Sequence, residues 1–393
     1  MWNTCKQISD EIISLRRELH QIPERGNDLP ETQALICRTL ESWGIPFRKG
    51  AFDSSVIGEF ACGGPGKTIL LRADVDALPI QEATGLPFAS RHEGLMHACG
   101  HDAHGAMLLG ALKVLYENRH SLRGNIRFLF QTGEENTTGA LIARDREHIL
   151  EGVDAVFGLH VGSILSPDIP SGTIVAVPGC CMASTDRFLL HIRGKGCHGS
   201  TPEKGVDPVT IAAHVVIALQ EILAREIAAS SAGVVTIGRI EGGSTYNVIP
   251  DEVVLEGTVR TLDSNVRRYL MRRVEEIAKA EAAVFRGECK PEMFWGHPPV
   301  ISDPALAKLT ADAAARVLGE EWVQRSRPSP NMGGEDFSIY LEQKPGCFFF
   351  LSSADPKKGT CVPHHNAKFD VDESVLWRGS AVFTAIAEDF LNA

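Results

Sequence analysis

Residues 68–79 read TILLRADVDALP, an apolar strand that runs directly into two aspartates. Similar strands are predicted at 125–130 (NIRFLF) and 154–159 (DAVFGL). Leucines at helical spacing predict a helix over 102–117 between the first two strands, and a second helix, over 140–150, precedes the third. Strands that alternate with helices are typical of an α/β fold, in which a mainly parallel sheet is flanked by helices.

The order of elements changes near residue 184. From there to residue 295 the predicted order is β-α-β-β-α-β, which is typical of a compact α+β, ferredoxin-like layer of helices on an antiparallel sheet. After residue 301 the alternation of helices and strands resumes. We therefore predict one α/β domain, formed by residues 1–183 and 296–393, with a smaller domain of residues 184–295 inserted into it.

Composition narrows the class of protein. The chain has 393 residues, of which 44% are hydrophobic and 23% charged, a mix that excludes disordered, collagen-like and coiled-coil proteins. With 39 Lys+Arg against 50 Asp+Glu, the net charge of −11 argues against a broad nucleic-acid surface. We find no run of about 18 apolar residues, so a transmembrane helix is not expected.

The cysteines indicate a reducing compartment. There are ten, none in a C-x-x-C pair, and the first 17 residues lack the apolar stretch of a secretory signal. We therefore expect reduced thiols in a cytoplasmic protein, most of them small buried hydrophobes. The exception is Cys99, which lies in a polar motif.

Metal-competent side chains follow each of the three strands. Two aspartates, Asp74 and Asp76, come after the first strand, a glutamate pair after the second, and His160 after the third. Ligands of open α/β sheets bind at the carboxyl ends of the strands, so these groups are expected to share one edge. Residues 96–102, MHACGHD, add a cysteine and histidines just before a helix, where Gly100 permits a sharp turn.

These residue types favour metal-dependent hydrolysis. Thiolate, imidazole and carboxylate together suit zinc or a neighbouring first-row ion. Glu134 and Glu135 would repel each other without a compensating cation, and in extended backbone they point to different sides. One of them can then bind metal while the other serves as a general base.

Each of these residues, taken singly, also has a purely structural interpretation. A C-x-H pair is a weak signal, a Glu-Glu pair is often a solvated turn, and Asp74 and Asp76 could cap turns. His160 could be a hydrogen-bonded core histidine. The position of all these groups at strand ends, or at a strand–helix turn, favours a site over four unrelated structural roles.

The motifs resemble those of a known family of dimetal amidohydrolases. It includes bacterial aminoacylases and hippuricases, plant hydrolases of auxin–amino-acid conjugates and, more distantly, carboxypeptidase G. The similar segments span nearly the whole chain: 16–24 (RRELHQIPE), 71–79 (LRADVDALP), 96–105 (MHACGHDAHG), 131–135 (QTGEE), 158–160 (GLH), 194–199 (GKGCHG), 247–251 (NVIPD), 257–261 (GTVRT), 334–337 (GEDF) and 365–366 (HN).

The resemblance implies a set of roles in the first domain. It implies a zinc-peptidase-like catalytic domain in which Glu134 is the general base and Asp76 orients His101, since a ligating histidine usually donates its other N–H to a carboxylate. His364 is expected only to line the site. The implied metal ligands are Cys99, His101, Glu135, His160 and His365.

For the inserted domain the resemblance implies a lid and dimerisation domain. His198 is similar to a histidine that reaches the partner subunit's active site and stabilises the oxyanion. Asn247 and Arg260 are similar to the pair that holds the substrate carboxylate, a task that suits the planar guanidinium. Without the family, Arg260 would be interpreted as a surface ion pair and His198 as a loop residue. His20 is expected to cap its helix.

The sequence also departs from the family pattern. Thr132 and Gly133 stand where Pro and Ala are usual before the glutamate pair, Asn136 replaces a common Gly, and residues 25–30 (RGNDLP) are unlike the usual continuation. Asp74 stands where carboxypeptidase G has a metal-binding histidine, so the ligand set follows the cysteine-containing branch. These departures concern substrate preference rather than the reaction.

The implied function is metal-dependent hydrolysis of the amide bond of N-acyl amino acids, with N-acetyl or aromatic acyl groups. The cofactors expected are two divalent ions per subunit, with zinc first and manganese, nickel or cobalt also fitting the ligands. A homodimer or tetramer is expected, without nucleic-acid or membrane partners. The alternatives are a dipeptidase or carboxypeptidase-type metallopeptidase of the same family, and a non-catalytic metal-binding relative.

Overall fold

The structure is a computed structural model that describes residues 1–164, 166, 168–326 and 330–393. The chain divides into two compact units. Unit 1 comprises Met1–Cys181, Ile301–Ser329 and Asp336–Ala393, and unit 2 comprises Met182–Val300 and Pro330–Glu335. Unit 2 thus takes in a short segment, 330–335, that the predicted range 184–295 does not contain.

The α-helices in the described part of the chain are α1 (Asn3–Gln7), α2 (Ser9–His20), α3 (Pro30–Ser42), α4 (His101–Glu117), α5 (Gly139–Asp145), α6 (Pro208–Ala218), α7 (Ser264–Val284), α8 (Pro304–Leu318), α9 (Ser338–Leu341) and α10 (Leu376–Asn392). The strands are β1 (Arg48–Lys49), β2 (Val56–Ala61), β3 (Thr68–Asp74), β4 (Asn125–Gln131), β5 (Ala155–Gly162), β6 (Ile174–Val175), β7 (Gly179–Met182), β8 (Asp186–Arg193), β9 (Cys197–His198), β10 (Gly233–Gly242), β11 (Val248–Ile249), β12 (Glu252–Thr261), β13 (Glu288–Trp295), β14 (Val300–Ser302), β15 (Val323–Gln324) and β16 (Gly346–Ser352).

Unit 1 is built on an eight-stranded mixed sheet in the order β1-β2-β4-β3-β5-β16-β6-β15. Its four central strands, β4, β3, β5 and β16, are parallel. Every residue of β3, β5 and β16 is buried, as expected for strands covered on both faces. The predicted α/β class is confirmed, and the carboxyl ends of β3, β4 and β5 lie side by side.

Helix α4 places the MHACGHD motif at this edge. Gly100, just before the helix, has φ +88°, and a Cβ there would lie 2.8 Å from the Val161 side chain. Only glycine therefore suits the turn, which brings Cys99 and His101 against β5. The predicted helix over 140–150 is shorter in the structure, Gly139–Asp145, and the left-handed residue His148 (φ +53°) lies in the turn that follows it.

Unit 2 carries the predicted β-α-β-β-α-β order. Its antiparallel sheet has the strand order β10-β12-β8-β13, and α6 and α7 pack on it. Phe188, Leu190 and Ile192 alternate inward along β8 to form its core. Asp186 is fully buried and makes a bidentate pair with Arg267 at 2.7 and 2.8 Å.

One segment of the described residues, Pro208–Glu226, is long and apolar enough to cross a membrane by length and composition, with a hydropathy of 1.3. This is weak evidence, because core helices pass the same test. Ile211, Val215, Leu219 and Ile222 from this segment are buried in the core of unit 2. Val209 and Ile217, on the same segment, are exposed, so burial in this core accounts for only part of its apolar composition.

Candidate metal centre

Three side chains form the first cluster at the carboxyl edge of the sheet. Ligand atoms of Cys99, His101 and Glu135 all lie within 4.8 Å of one another. His101 Nδ1 lies 3.0 Å from the Asp76 carbonyl oxygen and 3.2 Å from Asp76 Oδ1, and the backbone N–H of Glu135 donates to Asp76 Oδ2 at 3.1 Å. Asp76 therefore fixes both neighbours, and it leaves Nε2 of His101 turned towards Glu135 Oε1, 4.0 Å away.

A second cluster shares the same sulfur atom. Ligand atoms of Cys99, His160 and His364 also lie within 4.8 Å of one another. The Cys99 Sγ is 3.5 Å from His160 Nε2 and 3.6 Å from His364 Nδ1. His160 directs its other nitrogen to the Val161 carbonyl at 2.8 Å, which leaves Nε2 for the cluster. The thiol of Cys99 is thus common to two groups of candidate ligands.

The consecutive histidines lie on different sides of the site. His365 Nε2 is 3.3 Å from Glu135 Oε1, and the side chain is 53% exposed. His365 has a left-handed backbone conformation (φ +61°), which turns it away from the direction of His364. The structure thus brings His365 to Glu135 and His364 to Cys99, so His364, which the sequence indicated only as a lining residue, joins the candidate ligands.

Several buried polar atoms at the site lack hydrogen-bond partners within the described residues. They are Nε2 of His101, Oε1 of Glu135, whose 3.3 Å ionic contact with His365 Nε2 lacks hydrogen-bond geometry, and Nε2 of His364. Buried polar groups are nearly always paired, so each such atom calls for an explanation. A divalent cation would satisfy the first two together, since nitrogen and carboxylate oxygen are both metal ligands.

The electrostatics of the cluster also fit a cation. Burial, with help from the Glu135 carboxylate, raises the pKa of Cys99 well above its usual value. Burial and neighbouring imidazoles hold the pKa of His160 well below its ordinary range, and burial lowers that of His364 to about 3. Two neutral imidazoles are therefore ready to donate lone pairs, and a cation would be needed to make the thiolate.

A further buried pair, Asp74 and His104, contacts the strand that carries His160. His104 Nδ1 lies 2.5 Å from Asp74 Oδ1, and His104 Nε2 accepts the Val161 N–H at 2.9 Å. These contacts fix the backbone next to His160. The sequence analysis gave His104 no role, although its i+3 spacing from His101 on one helix face was a signal for it. Asp74, His101 and His104 also have ligand atoms within 4.8 Å of one another.

Glu134 is buried beside the candidate ligand Glu135. The pair lies in a turn that follows the left-handed Gly133 (φ +62°), and not in the extended backbone considered from the sequence. The backbone N–H of Asp336 lies 3.4 Å from Glu134 Oε1. Asp336 is itself held by the buried Arg72 at 2.7 Å and by Gln131 at 2.7 Å. A carboxylate next to the ligand clusters, with a fixed neighbourhood, is placed to exchange protons.

In unit 2, His198 and Asn247 lie on adjoining segments. Strand β9 pairs with β11 so that His198 faces Val248, and the Gly199 N–H donates to the Asn247 carbonyl at 2.8 Å. His198 is exposed, and its Nδ1 accepts the Ser200 N–H at 3.1 Å. These two predicted residues are therefore neighbours in the chain's fold.

Arg260 lies elsewhere in unit 2, at the end of β12. Its Nη1 donates to Thr185 Oγ1 at 2.8 Å and lies 3.5 Å from the Met332 carbonyl. Nη2 and Nε make no hydrogen bond within the described residues. Burial lowers the pKa of the guanidinium, with Asp186 acting in the opposite direction. A partly desolvated guanidinium with free N–H groups can receive an anion.

His20 does more than end its helix. The ring is buried, with Nδ1 2.7 Å from Asp102 Oδ2 and Nε2 3.3 Å from Glu82 Oε1. Arg16 Nε donates to the same oxygen of Asp102 at 2.7 Å. Asp102 follows His101 in the first turn of α4, so this network anchors the start of the ligand-bearing helix. The sequence analysis predicted only a helix cap here.

Comparisons with known proteins agree with this site. The sequence model of Peptidase family M20/M25/M40 matches residues 70–389. The chain is 42% identical over 389 residues to N-acetyl-L-cysteine deacetylase of Bacillus subtilis (strain 168), covering 98% of this chain and 89% of the relative. It is 36% identical over 394 residues to thermostable carboxypeptidase 1 of Saccharolobus solfataricus, covering 99% of this chain and 98% of the relative.

A plant enzyme and a crystal structure show the same likeness. IAA-amino acid hydrolase ILR1-like 2 of Arabidopsis thaliana is 36% identical over 389 residues, covering 98% of this chain and 86% of the relative. The structure of the Bacillus subtilis YXEP protein, a dinuclear metal-binding peptidase from the M20 family, gives a TM-score of 0.85 at 35% identity, covering 98% of this chain and 99% of that chain. The family resemblance of the motifs is confirmed: the chain belongs to the M20/M25/M40 peptidase family and is a hydrolase.

Proposed function

We propose that the chain hydrolyses the amide bond of N-acyl amino acids with the help of two divalent cations per subunit. The observation that carries the proposal is the pair of ligand clusters joined at Cys99, with the Glu134 carboxylate beside them. The relatives support the substrate class, because they include a deacetylase of N-acetyl-L-cysteine and a hydrolase of an amino-acid conjugate.

The residues that would hold the cations are the five ligands implied by the motifs, together with His364, which the structure adds as a member of the second cluster. Zinc is the first choice, because thiolate and imidazole are soft or borderline ligands, and manganese, nickel and cobalt are the alternatives to test. When bound, such cations lower the pKa of a water molecule and polarise the substrate carbonyl. A dinuclear relative at 35% identity supports the number of ions.

The protein groups supply proton transfer and positioning. Glu134 accepts the proton of the attacking water and returns it to the leaving amine. His198 donates a hydrogen bond to the carbonyl oxygen as it gains negative charge. Asn247 and the free N–H groups of Arg260 hold the carboxylate of the amino acid. We propose a homodimer in which His198 reaches the active site of the partner subunit. We also propose a cytoplasmic location, which is consistent with ten cysteines of which none lies in a C-x-x-C pair.

The test of the base is Glu134→Gln, which keeps the size of the side chain and removes its charge. General bases contribute about 10²–10⁴-fold, so turnover of N-acetyl amino acids by the metal-loaded enzyme should fall by that factor while metal content is unchanged. The exposed Glu117→Gln at the far end of α4 is the matched control. Wild-type turnover in the Glu134→Gln variant would refute the assignment.

The substrate class is tested with N-acetyl and N-benzoyl amino acids against dipeptides at a fixed metal concentration. The proposal requires the N-acyl amino acids to have the larger kcat/KM. A preference for dipeptides would favour the second candidate, a peptidase function, for which the relatives named as carboxypeptidases are the supporting observation. Metal binding without turnover of any of these amides would favour a non-catalytic relative.

A further inference from the structure

The turn that carries Glu134 contains three residues that differ from the family pattern. These are Thr132, Gly133 and Asn136, and a fourth departure, Asn27, lies more than a hundred residues earlier in the chain. In unit 1 all four come together. The turn itself is closed by backbone hydrogen bonds from the N–H of Thr138 and that of Gly139 to the Gly133 carbonyl, both at 3.1 Å.

The Asn27 side chain joins the two ends of this turn. Its Nδ2 donates to Thr138 Oγ1 at 2.7 Å, on the far side of the glutamate pair. Its Oδ1 lies 3.2 Å from Thr132 Oγ1, on the near side. One half-buried amide therefore fixes both the entry to the turn and the exit from it, with Glu134 between them.

Gly133 and Asn27 depend on each other sterically. A Cβ at Gly133 would lie 2.0 Å from Asn27 Oδ1 and 2.9 Å from Asn136 Oδ1. The backbone at Gly133 is left-handed, with φ +62°, which further favours glycine. The alanine usual in the family at this position does not fit while Asn27 is present, so the two departures form one packing unit.

Asn27 is itself held in place. Its backbone carbonyl accepts the Ser54 N–H at 2.9 Å, and Asp53 Oδ2 accepts the Thr132 hydroxyl at 2.8 Å. A hydroxyl has a single hydrogen, so Thr132 donates to either Asp53 or Asn27 at any moment. The segment 53–54 therefore holds the Asn27 backbone through Ser54 and the Thr132 hydroxyl through Asp53.

We propose that Asn27 is a positioning residue for the general base, acting through its contacts with both ends of the turn. The inference rests on the proposed function of Glu134. Asn27 reaches the reaction only through the turn, so its loss should lower kcat and leave KM nearly unchanged. A misplacement of a reacting group by about 1 Å can cost about 10²-fold in rate.

The experiment compares Asn27→Ala with Asn125→Ala in the metal-loaded enzyme. Asn125 is a matched control because it is also half-buried and donates from Nδ2 to a threonine hydroxyl, that of Thr68 at 3.2 Å, but at the opposite end of β4. We expect kcat to fall about 10- to 100-fold in Asn27→Ala, with KM within twofold, and both constants to stay within twofold in Asn125→Ala. Thr138→Val, which removes the partner hydroxyl, should reproduce the kcat loss.

A double-mutant cycle tests the coupling to Gly133. The cycle compares the effect of Gly133→Ala in the wild type with its effect in Asn27→Ala. The backbone strain of an alanine at position 133 is present in both backgrounds and cancels, whereas the clash with Oδ1 exists only when Asn27 is present. The fold-loss in kcat caused by Gly133→Ala should therefore be at least about threefold smaller in the Asn27→Ala background. Equal losses in the two backgrounds would show that the residues act independently and would overturn the inference.

The outcomes separate this inference from the proposed function. Full activity of the Glu134→Gln variant would show that Glu134 is not the general base, and it would refute the proposed mechanism as a whole. An inactive Glu134→Gln variant together with wild-type kcat in both Asn27→Ala and Thr138→Val would leave the function standing and refute only the positioning role. A rise in KM with unchanged kcat would also refute it, because it would place Asn27 in substrate binding.

Discussion

The candidate residues of unit 1 and those of unit 2 are organised in opposite ways. In unit 1, Cys99, His101 and His160 are buried, touch one another, and leave polar atoms without partners. In unit 2, His198 is exposed and Arg260 has a hydroxyl and a carbonyl as neighbours. Unit 1 thus carries a cluster that a cation would complete, whereas in unit 2 His198 is open to solvent and the half-buried Arg260 keeps N–H groups that can receive an anion.

The largest effect that separates the two regions is expected from His198→Ala. Removal of one oxyanion donor costs about 10²–10³-fold in kcat, and His198 belongs to the unit that holds no metal ligand in our assignment, so metal affinity should not change. Steady-state kinetics and metal titration on the same preparation measure both. His191→Ala, on β8 with Glu252 as its partner at 3.1 Å, is the control. A loss of metal affinity in His198→Ala would show that the candidate residues of unit 2 also take part in metal binding, contrary to the assignment.

Asp76→Asn should show the reverse pattern, with metal affinity as the main loss. Asp76 faces two N–H donors, His101 Nδ1–H and the backbone N–H of Glu135, so an amide must turn its own NH₂ group towards one of them. Loss of such a supporting contact typically costs about 10- to 100-fold in metal affinity, which competition with a chelator measures.

The control for Asp76→Asn is Asp154→Asn, whose carboxylate accepts the Thr68 N–H at 2.7 Å at the opposite edge of the sheet. Its metal affinity should equal that of the wild type. Equal affinities in all three proteins would mean that Asp76 does not orient the ligand histidine.

The smallest effect concerns acid stability of unit 1. Burial would raise the pKa of Glu82, but hydrogen bonds from His20, Thr84 and the Ser90 N–H lower it to about 2. Because the folded-state pKa is depressed, this carboxylate stabilises the fold above its ordinary pKa of about 4.3, and the stabilisation is lost as the pH falls towards 2. Glu82→Gln should lower the free energy of unfolding at pH 7 by about 1–3 kcal/mol.

Urea unfolding between pH 7 and pH 2, with a chelator present to remove metal effects, measures this dependence. The stability of Glu82→Gln should fall less steeply with acid than that of the wild type, so that the two curves converge near pH 2. Parallel curves would show that Glu82 is not the titrating group.

Local signals in the sequence were sufficient for the sheet and for the edge at which the candidate ligands meet, whereas the ligand set itself came from the resemblance of the motifs. The strand at 68–74 is apolar and buried throughout, and the turn before α4 needs the glycine that the motif supplies, so both follow from a few adjacent residues. Side chains at the ends of neighbouring parallel strands must then lie close together. That reasoning brings His101 and Glu135 to one edge without any knowledge of distant contacts.

What sequence reasoning missed depends on contacts between distant parts of the chain. The approach of His364 to Cys99 accompanies a backbone hydrogen bond from the His365 N–H to the Ala98 carbonyl at 2.9 Å, which no pattern indicates. The contact of His20 with Asp102 joins residues 82 positions apart, and Asn27 meets Thr138 across 111. Such pairs are fixed by packing of the whole unit, so spacing in the sequence carries no sign of them.

The sulfur atom common to both ligand clusters has a consequence for how ions would be taken up. Cys99 can release its proton only once, and burial makes that release unfavourable before an ion arrives. Binding of the first ion would include the free energy of deprotonating the Cys99 thiol, and the second ion would bind to a thiolate that is already present. Occupancy should therefore rise in a cooperative manner, with the thiol proton appearing in solution during the first half of the titration only.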